Sequence, residues 1–293
     1  MKKIVFGVLA LFALSCGPKQ KEPNINVGNI NVGIDESLRQ VLDAEMDAYS
    51  NIYKGATFNR FSIPENQAVK LLLEDSMDVI CITRTMNEEE LKILAERKIT
   101  YKPAPMALDA VVLVTNKEGA AENITLERLT ELFRSENESV KLVFDVGNSS
   151  NLNIVLAKLG ITEFNRKNVV AAGSNEKVFD WVKKDKNAIG FVGFNLISEK
   201  SSMSSQELKN SVKILSVKDS LNYVFPEKRT ILEQTYPFNR IIYLHTLGTA
   251  WGVENGFIRY ACTKPGQLIA EKMGLVPYYA IPKQFVISKD PID

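Results

Sequence analysis

The stretch Met77–Lys98, MDVICITRTMNEEELKILAERK, contains one complete structural unit of the chain. Its first seven residues form an apolar run that predicts a buried strand. A helix is predicted over 87–98, because glutamates fill its first turn and basic residues its last turn, as the helix dipole favours. The polar segment 83–85 joins the two, so the unit is strand, loop and helix.

The same alternation extends toward the N-terminus and beyond residue 98. Strands are predicted over 29–34, 56–63 and 101–116, and helices over 36–53 and 65–76. The first of these helices repeats apolar residues three and four apart, as at Leu38, Val41 and Leu42. This order predicts a mostly parallel sheet with helices on both faces.

A second α/β series follows, and the chain ends in a different pattern. Helices are predicted over 125–135, 149–160 and 175–185, strands over 140–146, 168–173, 188–194 and 212–217, and a loop with a short helix over 202–211. Thr125 is the predicted N-cap of one helix and Gly160 the end of another. Residues 235–247 read as extended and 254–274 as a helix in two parts around Pro265-Gly266, which we expect to pack back on the first series.

Composition indicates a globular protein with a near-neutral surface. The chain has 36 Lys and Arg against 35 Asp and Glu, with 45% hydrophobic and 24% charged residues. This balance argues against a nucleic-acid partner. A single histidine, His245, gives little support for a metal site or a catalytic triad. We expect no metal, no cofactor and no enzymatic activity.

The N-terminal residues are typical of a secretory signal. Two lysines precede the apolar run 4–14, which is short for a membrane span, and Cys16 follows it. Ala13–Cys16 resembles a bacterial lipobox, which predicts a signal peptide at 1–15, acylation of Cys16 and a tether over 16–24. The alternative is an ordinary signal with an incidental cysteine. Cys81 and Cys262 are either buried thiols or a disulfide pair.

Seven stretches together resemble the phosphate-binding proteins of bacterial ABC importers, in a lipoprotein variant. They are DVICITRTMNEEE (78–90), ALDAVVLVTNK (107–117), ITLERLTELFRS (124–135), VFDVGNSSN (143–151), NAIGFVGF (187–194), YPFNRIIYL (236–244) and GFIRYACTKPGQLIAEKMGLVP (256–277). The resemblance implies an α/β type II periplasmic binding protein fold, with two doubly wound lobes, two hinge strands and a ligand cleft between the lobes. Lobe 1 would comprise 25–112 and 236–293, and lobe 2 would comprise 113–235.

The same resemblance implies a function and a location. The protein would capture phosphate, or a related tetrahedral oxyanion, and deliver it to the permease and ATPase subunits of an ABC importer. We expect a monomer, anchored by lipid on the periplasmic face of a Gram-negative cell envelope.

Loops after the strands are where the ligand is expected, because parallel α/β sheets bind ligands beyond the carboxyl ends of their strands. Asp35 and Ser37 lie in the first such loop. Asp35 is either a helix N-cap or a carboxylate that accepts the proton of hydrogen phosphate, which sulfate lacks. In the loop of Arg84 and Thr85, the Arg84 guanidinium matches two phosphate oxygens, and its alternative is a salt bridge to Glu88 or Glu89.

The loop before the 149–160 helix is the strongest candidate for an oxyanion site. Asn148, Ser149, Ser150 and Asn151 offer hydroxyl and N–H groups at a helix N-terminus. Relatives usually show Arg-x-x-Gly-Ser-Gly-Thr here, and Asp145 stands in place of that arginine. The alternative is a helix cap alone.

Two other functions compete with the carrier. The acidic departures at Asp35, Glu65 and Asp145 fit a sensor or interaction lipoprotein that kept the fold without high affinity for phosphate. A serine hydrolase would use Ser149 or Ser150 with His245 as base, but no motif links these residues.

Overall fold

The computed structural model describes residues 23–135, 139–199, 202–219 and 221–279. The predicted signal peptide, the acylation site Cys16 and most of the tether lie outside the described residues. So do residues 280–293 of the predicted lobe 1.

Thirteen strands are formed by the described residues. They are β1 Val27–Ile34, β2 Gly55–Ser62, β3 Val79–Ile82, β4 Ala104–Asn116, β5 Asn123–Thr125, β6 Lys141–Phe144, β7 Val169–Ala171, β8 Ala188–Gly193, β9 Val212–Ile214, β10 Ser216–Asp219, β11 Asn222–Val224, β12 Asn239–His245 and β13 Val276–Pro277.

Eleven α-helices lie between or after these strands within the described ranges. They are α1 Arg39–Ile52, α2 Glu65–Leu73, α3 Glu88–Glu96, α4 Leu126–Arg134, α5 Ser150–Leu159, α6 Asn175–Lys184, α7 Asn195–Ser198, α8 Met203–Ser211, α9 Lys228–Leu232, α10 Val253–Ala261 and α11 Lys264–Lys272. A 3-10 turn, Glu36–Leu38, precedes α1. No helix in the described part of the chain is both long and apolar enough to cross a membrane.

The main sheet has the strand order β2-β1-β3-β12-β4-β8-β6-β7, with β9 and β13 also paired to β4. β1 pairs in parallel with β2 and β3, and β6 in parallel with β7 and β8. β4 and β12 pair antiparallel to their neighbours. The sheet is therefore mixed, whereas the sequence predicts a mostly parallel one. The difference arises because β4 and β12, which cross the middle of the sheet, each run antiparallel to the strands beside them.

β4 connects the two halves of this sheet. Its residues 104–110 pair with β12, and its residues 111–115 pair with β8. Separate hydrophobic clusters lie on either side, one around β6 and β8 and two around β1 and β3. We call the β1–β3 side lobe 1 and the β6–β8 side lobe 2, and the residue boundaries given above stay a prediction.

Lobe 1 is covered by helices on both faces, as the sequence predicts. Val79 and Cys81 of β3 contribute to the cluster of α1, α10 and α11, whereas Ile80 and Ile82 contribute to the cluster of α2 and α3. This alternation follows from the two-residue period of a strand. The C-terminal helices therefore pack back on the first series.

Local signals decide several helix ends. The Thr125 side chain caps α4, and Gly160 ends α5 with a left-handed backbone at φ 63°. The run 212–217, however, is divided between two sheets: β9 pairs with β4, while β10 joins β5 and β11 in a three-stranded sheet. Cys81 and Cys262 are both free thiols.

Candidate functional site

Asp35 is the centre of a buried polar cluster at the carboxyl end of β1. Its side chain is fully buried, and Oδ1 accepts hydrogen bonds from the Ser37 N–H at 3.1 Å and the Ser37 hydroxyl at 2.7 Å. Asp35 is the N-cap of the 3-10 turn. The interpretation of Asp35 as an N-cap is therefore confirmed. Its carboxylate can accept further hydrogen bonds besides the two from Ser37.

Ser150 brings lobe 2 to this carboxylate. Ser149 caps α5 by accepting from the Leu152 N–H at 3.4 Å, which places Ser150 at the first position of the helix. The Ser150 N–H donates to Asp35 Oδ2 at 3.0 Å, and its hydroxyl donates to Asp35 Oδ1 at 2.7 Å. The Ser37 and Ser150 hydroxyls are 2.8 Å apart. Loops predicted separately in the two lobes thus meet.

Arg240 is the buried cation of this cluster, and it is not among the residues that the sequence predicts for the site. It lies on β12 in register with Asp109 of β4, and its Nε and Nη2 donate to Asp109 Oδ2 at 2.9 and 2.6 Å. Its Nη1 donates to Ser150 Oγ at 3.0 Å and to Asn151 Oδ1 at 2.8 Å. Arg240 therefore ties the crossing strands to the first turn of α5.

A signal for this pair was present in the sequence. Arg240 and Asp109 are each a lone charge in an otherwise apolar run, YPFNRIIYL and ALDAVVL. A charge on a strand expected to be buried needs a partner of opposite sign. The cation expected to bind the ligand lies in a strand-to-helix loop, whereas Arg240 lies within a strand.

Asp145 lies behind the α5 loop and is also buried. Its Oδ2 accepts from Asn151 Nδ2 at 3.2 Å, so the Asn151 amide connects Asp145 to Arg240. Burial, with the nearby Asp35 carboxylate, raises the pKa of Asp145 to about 6, although the Ser149 hydroxyl, the Val146 N–H and Arg240 act in the opposite direction. The cluster thus holds three buried carboxyl groups and one guanidinium.

Two more contacts connect the lobes near this cluster. Glu65 Oε1 accepts from the Thr83 N–H at 2.6 Å and the Thr83 hydroxyl at 2.7 Å, and its Oε2 accepts from Asn153 of α5 at 3.4 Å. Asn175 Nδ2 donates to the Glu36 carbonyl at 3.4 Å. The lobes are therefore closed on each other. Glu65 is the first residue of α2 and also connects the two lobes.

Arg84 belongs to a neighbouring group. It makes a bidentate pair with Glu90, at 2.8 Å to each carboxylate oxygen, in place of the pair to Glu88 or Glu89 considered above. Together with Thr83, Thr85 and Arg240, Arg84 lines a cleft of about 350 Å³. The role of Arg84 as a ligand cation stays a prediction.

Two candidates lie outside the buried cluster. Thr85 and Asn148 are exposed, and Asn148 has a left-handed backbone with φ 60°. Their roles as ligand contacts stay predictions.

His245 lies apart from the serines of the cluster. Its Nδ1 is 3.0 Å from the Tyr101 hydroxyl, and burial lowers its pKa to about 4. Ser150 Oγ instead contacts Asp35, Ser37 and Arg240. Among the residues that the structure describes, no group of three or more His, Cys, Asp or Glu side chains could hold a metal ion.

Comparisons with known proteins identify the family and the fold of the chain. The model of the PBP superfamily domain matches residues 19–264. The chain is 25% identical to Protein SphX of Synechococcus elongatus over 71% of this chain, and 24% identical to Phosphate-binding protein PstS of Staphylococcus saprophyticus over 59% of it. These matches span 65% and 56% of the two relatives' own lengths.

Solved structures show the same fold at low identity. An ABC-type phosphate transport receptor from Vibrio cholerae matches with a TM-score of 0.67 and 16% identity, covering 85% of this chain and 100% of that one. PstS from Borrelia burgdorferi matches with a TM-score of 0.55 and 20% identity, covering 85% and 98%. The predicted type II binding-protein fold and the resemblance to phosphate-binding proteins are confirmed, and the chain belongs to the PBP superfamily.

Proposed function

We propose that this chain is an extracytoplasmic solute-binding protein that captures phosphate, or a related tetrahedral oxyanion, between its lobes and delivers it to an ABC importer. One observation carries the proposal. The first turn of α5, with Ser150 at its start, meets Ser37 of lobe 1 beside the Arg240 guanidinium. Helix N–H groups, hydroxyls and a guanidinium are the donors that an oxyanion prefers.

In this proposal the predicted site residues have distinct roles. Ser37, Ser149, Ser150 and Asn151 supply donors, and Arg84 and Thr85 line the cleft that leads to Arg240. The carboxyl group of Asp145 selects ligands that carry a proton, because an anion without one would meet its charge without a hydrogen bond in return. Such a site would favour hydrogen phosphate over sulfate.

The proposal extends to location and partners. The N-terminal pattern supports export and acylation of Cys16, which would anchor a monomer on the periplasmic face of a Gram-negative envelope. The likeness in fold to the ABC-type phosphate transport receptor from Vibrio cholerae supports a role with permease and ATPase subunits. The chain would bind its ligand without chemical change.

A second candidate is a sensor or interaction lipoprotein of the same fold. It is favoured by the excess of buried carboxyl groups, since Asp35, Asp109 and Asp145 share one buried cluster with Arg240, its one cation among the described residues. In that case the cleft would bind oxyanions weakly and its closure would serve another partner.

Isothermal titration calorimetry on protein freed of bound ligand separates the two candidates. The carrier predicts heat of binding with phosphate, and less or none with sulfate, molybdate and tungstate. Absence of heat with all four anions would reject the carrier and favour the sensor.

A further inference from the structure

The Asp35 carboxylate receives four hydrogen-bond donors, two from each lobe. Ser37 of lobe 1 gives its N–H at 3.1 Å and its hydroxyl at 2.7 Å. Ser150 of lobe 2 gives its N–H at 3.0 Å and its hydroxyl at 2.7 Å. A fully buried carboxylate with this set of donors is bound in the manner of a ligand anion.

The position of Asp35 is where an oxyanion would dock. Ser150 is the first residue of α5, so its N–H has no partner within the helix and lies at the positive end of the helix dipole. The Asp35 carboxylate, from the opposite lobe, already occupies this anion-attracting end. An oxyanion that used the Ser150 N–H and hydroxyl would have to take them from Asp35.

The nearby cation offsets a second anion only in part, because it already has other partners. Arg240 is already shared between Asp109, Ser150 and Asn151. An added dianion would face the carboxyl groups of Asp35 and Asp145 in a buried site, where charges of like sign repel strongly.

We propose that Asp35 is an internal anion: it closes the lobes without ligand and competes with the oxyanion for Ser37 and Ser150. Asp35 thereby sets the affinity of the site and its discrimination between oxyanions. The competition rests on the proposed function, whereas ligand-free closure does not. This role weakens phosphate binding, whereas a carboxylate that accepts the proton of a bound phosphate strengthens it.

The first test measures closure with no ligand present. In Asp35→Asn, the amide keeps one acceptor oxygen, but it loses the charge and places an N–H₂ donor near the Ser150 N–H. We expect a larger radius of gyration in small-angle X-ray scattering. We also expect about tenfold or more faster hydrogen exchange in peptides covering 146–152, since loss of the Asp35 contact opens the loop.

A matched control is Asp47→Asn, which removes the same charge from an exposed position on α1 of lobe 1. It should leave both the scattering and the exchange unchanged. Asp35→Ser retains a short side chain able to cap the 3-10 turn, and it replaces Asp35→Asn if that variant does not fold. If the Asp35 variant is as compact and as protected as the wild type, Asp35 does not close the lobes.

The second test is calorimetry with inorganic phosphate and sulfate. Removing the competing charge should tighten phosphate binding about tenfold or more and should admit sulfate. Weaker phosphate binding in the Asp35 variant would show that Asp35 is a ligand acceptor and would overturn the competition. If the variant opens but neither protein binds any oxyanion, ligand-free closure is supported, while the competition and the proposed function are both rejected.

Discussion

The burial of Glu45 predicts a pH dependence of the free energy of unfolding, and its magnitude follows from the surroundings of this side chain. It lies on α1 with its side chain fully buried, and neither of its oxygens has a hydrogen-bond partner among the described residues. Burial raises its pKa from 4.5 to about 9. The carboxyl group is therefore protonated in the folded protein at neutral pH.

The sign of the pH dependence follows from this shift. Below pH 4.5 the group carries its proton in both the folded and the unfolded chain, so Glu45 has no charge-related cost. Between 4.5 and about 9 only the unfolded chain releases the proton, and the free energy of unfolding falls as the pH rises. At about 1.4 kcal/mol per pH unit, the loss reaches about 3 kcal/mol at pH 7.

The perturbation is Glu45→Gln, which keeps the shape and removes the titration. Urea unfolding followed by circular dichroism should show a variant of similar stability to the wild type at pH 4.5. At pH 7 the variant should be more stable by about 3 kcal/mol. Glu96→Gln, an exposed position on α3, is the matched control and should follow the wild-type profile. Parallel stability profiles for Glu45→Gln and the wild type would refute the assignment of a neutral buried carboxyl group.

Three further predictions concern the site and the thiols. Arg240→Met should reduce phosphate affinity about 100-fold and the free energy of unfolding by about 3–5 kcal/mol, since it leaves a buried carboxylate unpaired. Arg84→Met should change both quantities much less. Equal losses for the two variants in calorimetry and urea unfolding would contradict this order. Gly193→Ala should weaken phosphate binding, because its Cβ would clash with the Asn195 Oδ1 and come within 3.2 Å of the Arg240 Nη2. An unchanged dissociation constant would contradict this prediction. Cys81 and Cys262 should each react with Ellman's reagent only after unfolding. Burial raises the pKa of Cys262 to about 12 and that of Cys81 well above its usual value. If neither thiol reacts after unfolding without reductant, the two cysteines form a disulfide.

The parts of the fold that local chemistry decides were predictable from the sequence. Thr125 and Ser149 cap helices through bonds to N–H groups three residues ahead, and Gly160 ends a helix because it adopts a left-handed backbone. Such contacts are contained within a few residues. The sequence therefore identified the α5 loop as a helix start with N–H and hydroxyl donors.

The parts that were missed depend on pairing between distant segments. Arg240 and Asp109 face each other only because β12 and β4 share a register across 131 positions of sequence. Asp35 and Ser150 are 115 positions apart. The division of 212–217 into β9 and β10 likewise depends on which strand each half meets, and periodicity cannot show this.

The central claim is that an oxyanion binds where Ser37, Ser150 and Arg240 converge. A crystal structure of ligand-freed protein grown with phosphate tests it most directly. The account predicts a tetrahedral anion within hydrogen-bond distance of the Ser150 N–H and hydroxyl, with the Asp35 carboxylate displaced from them. Phosphate bound elsewhere, or an Asp35–Ser150 contact unchanged at saturating phosphate, would contradict the account.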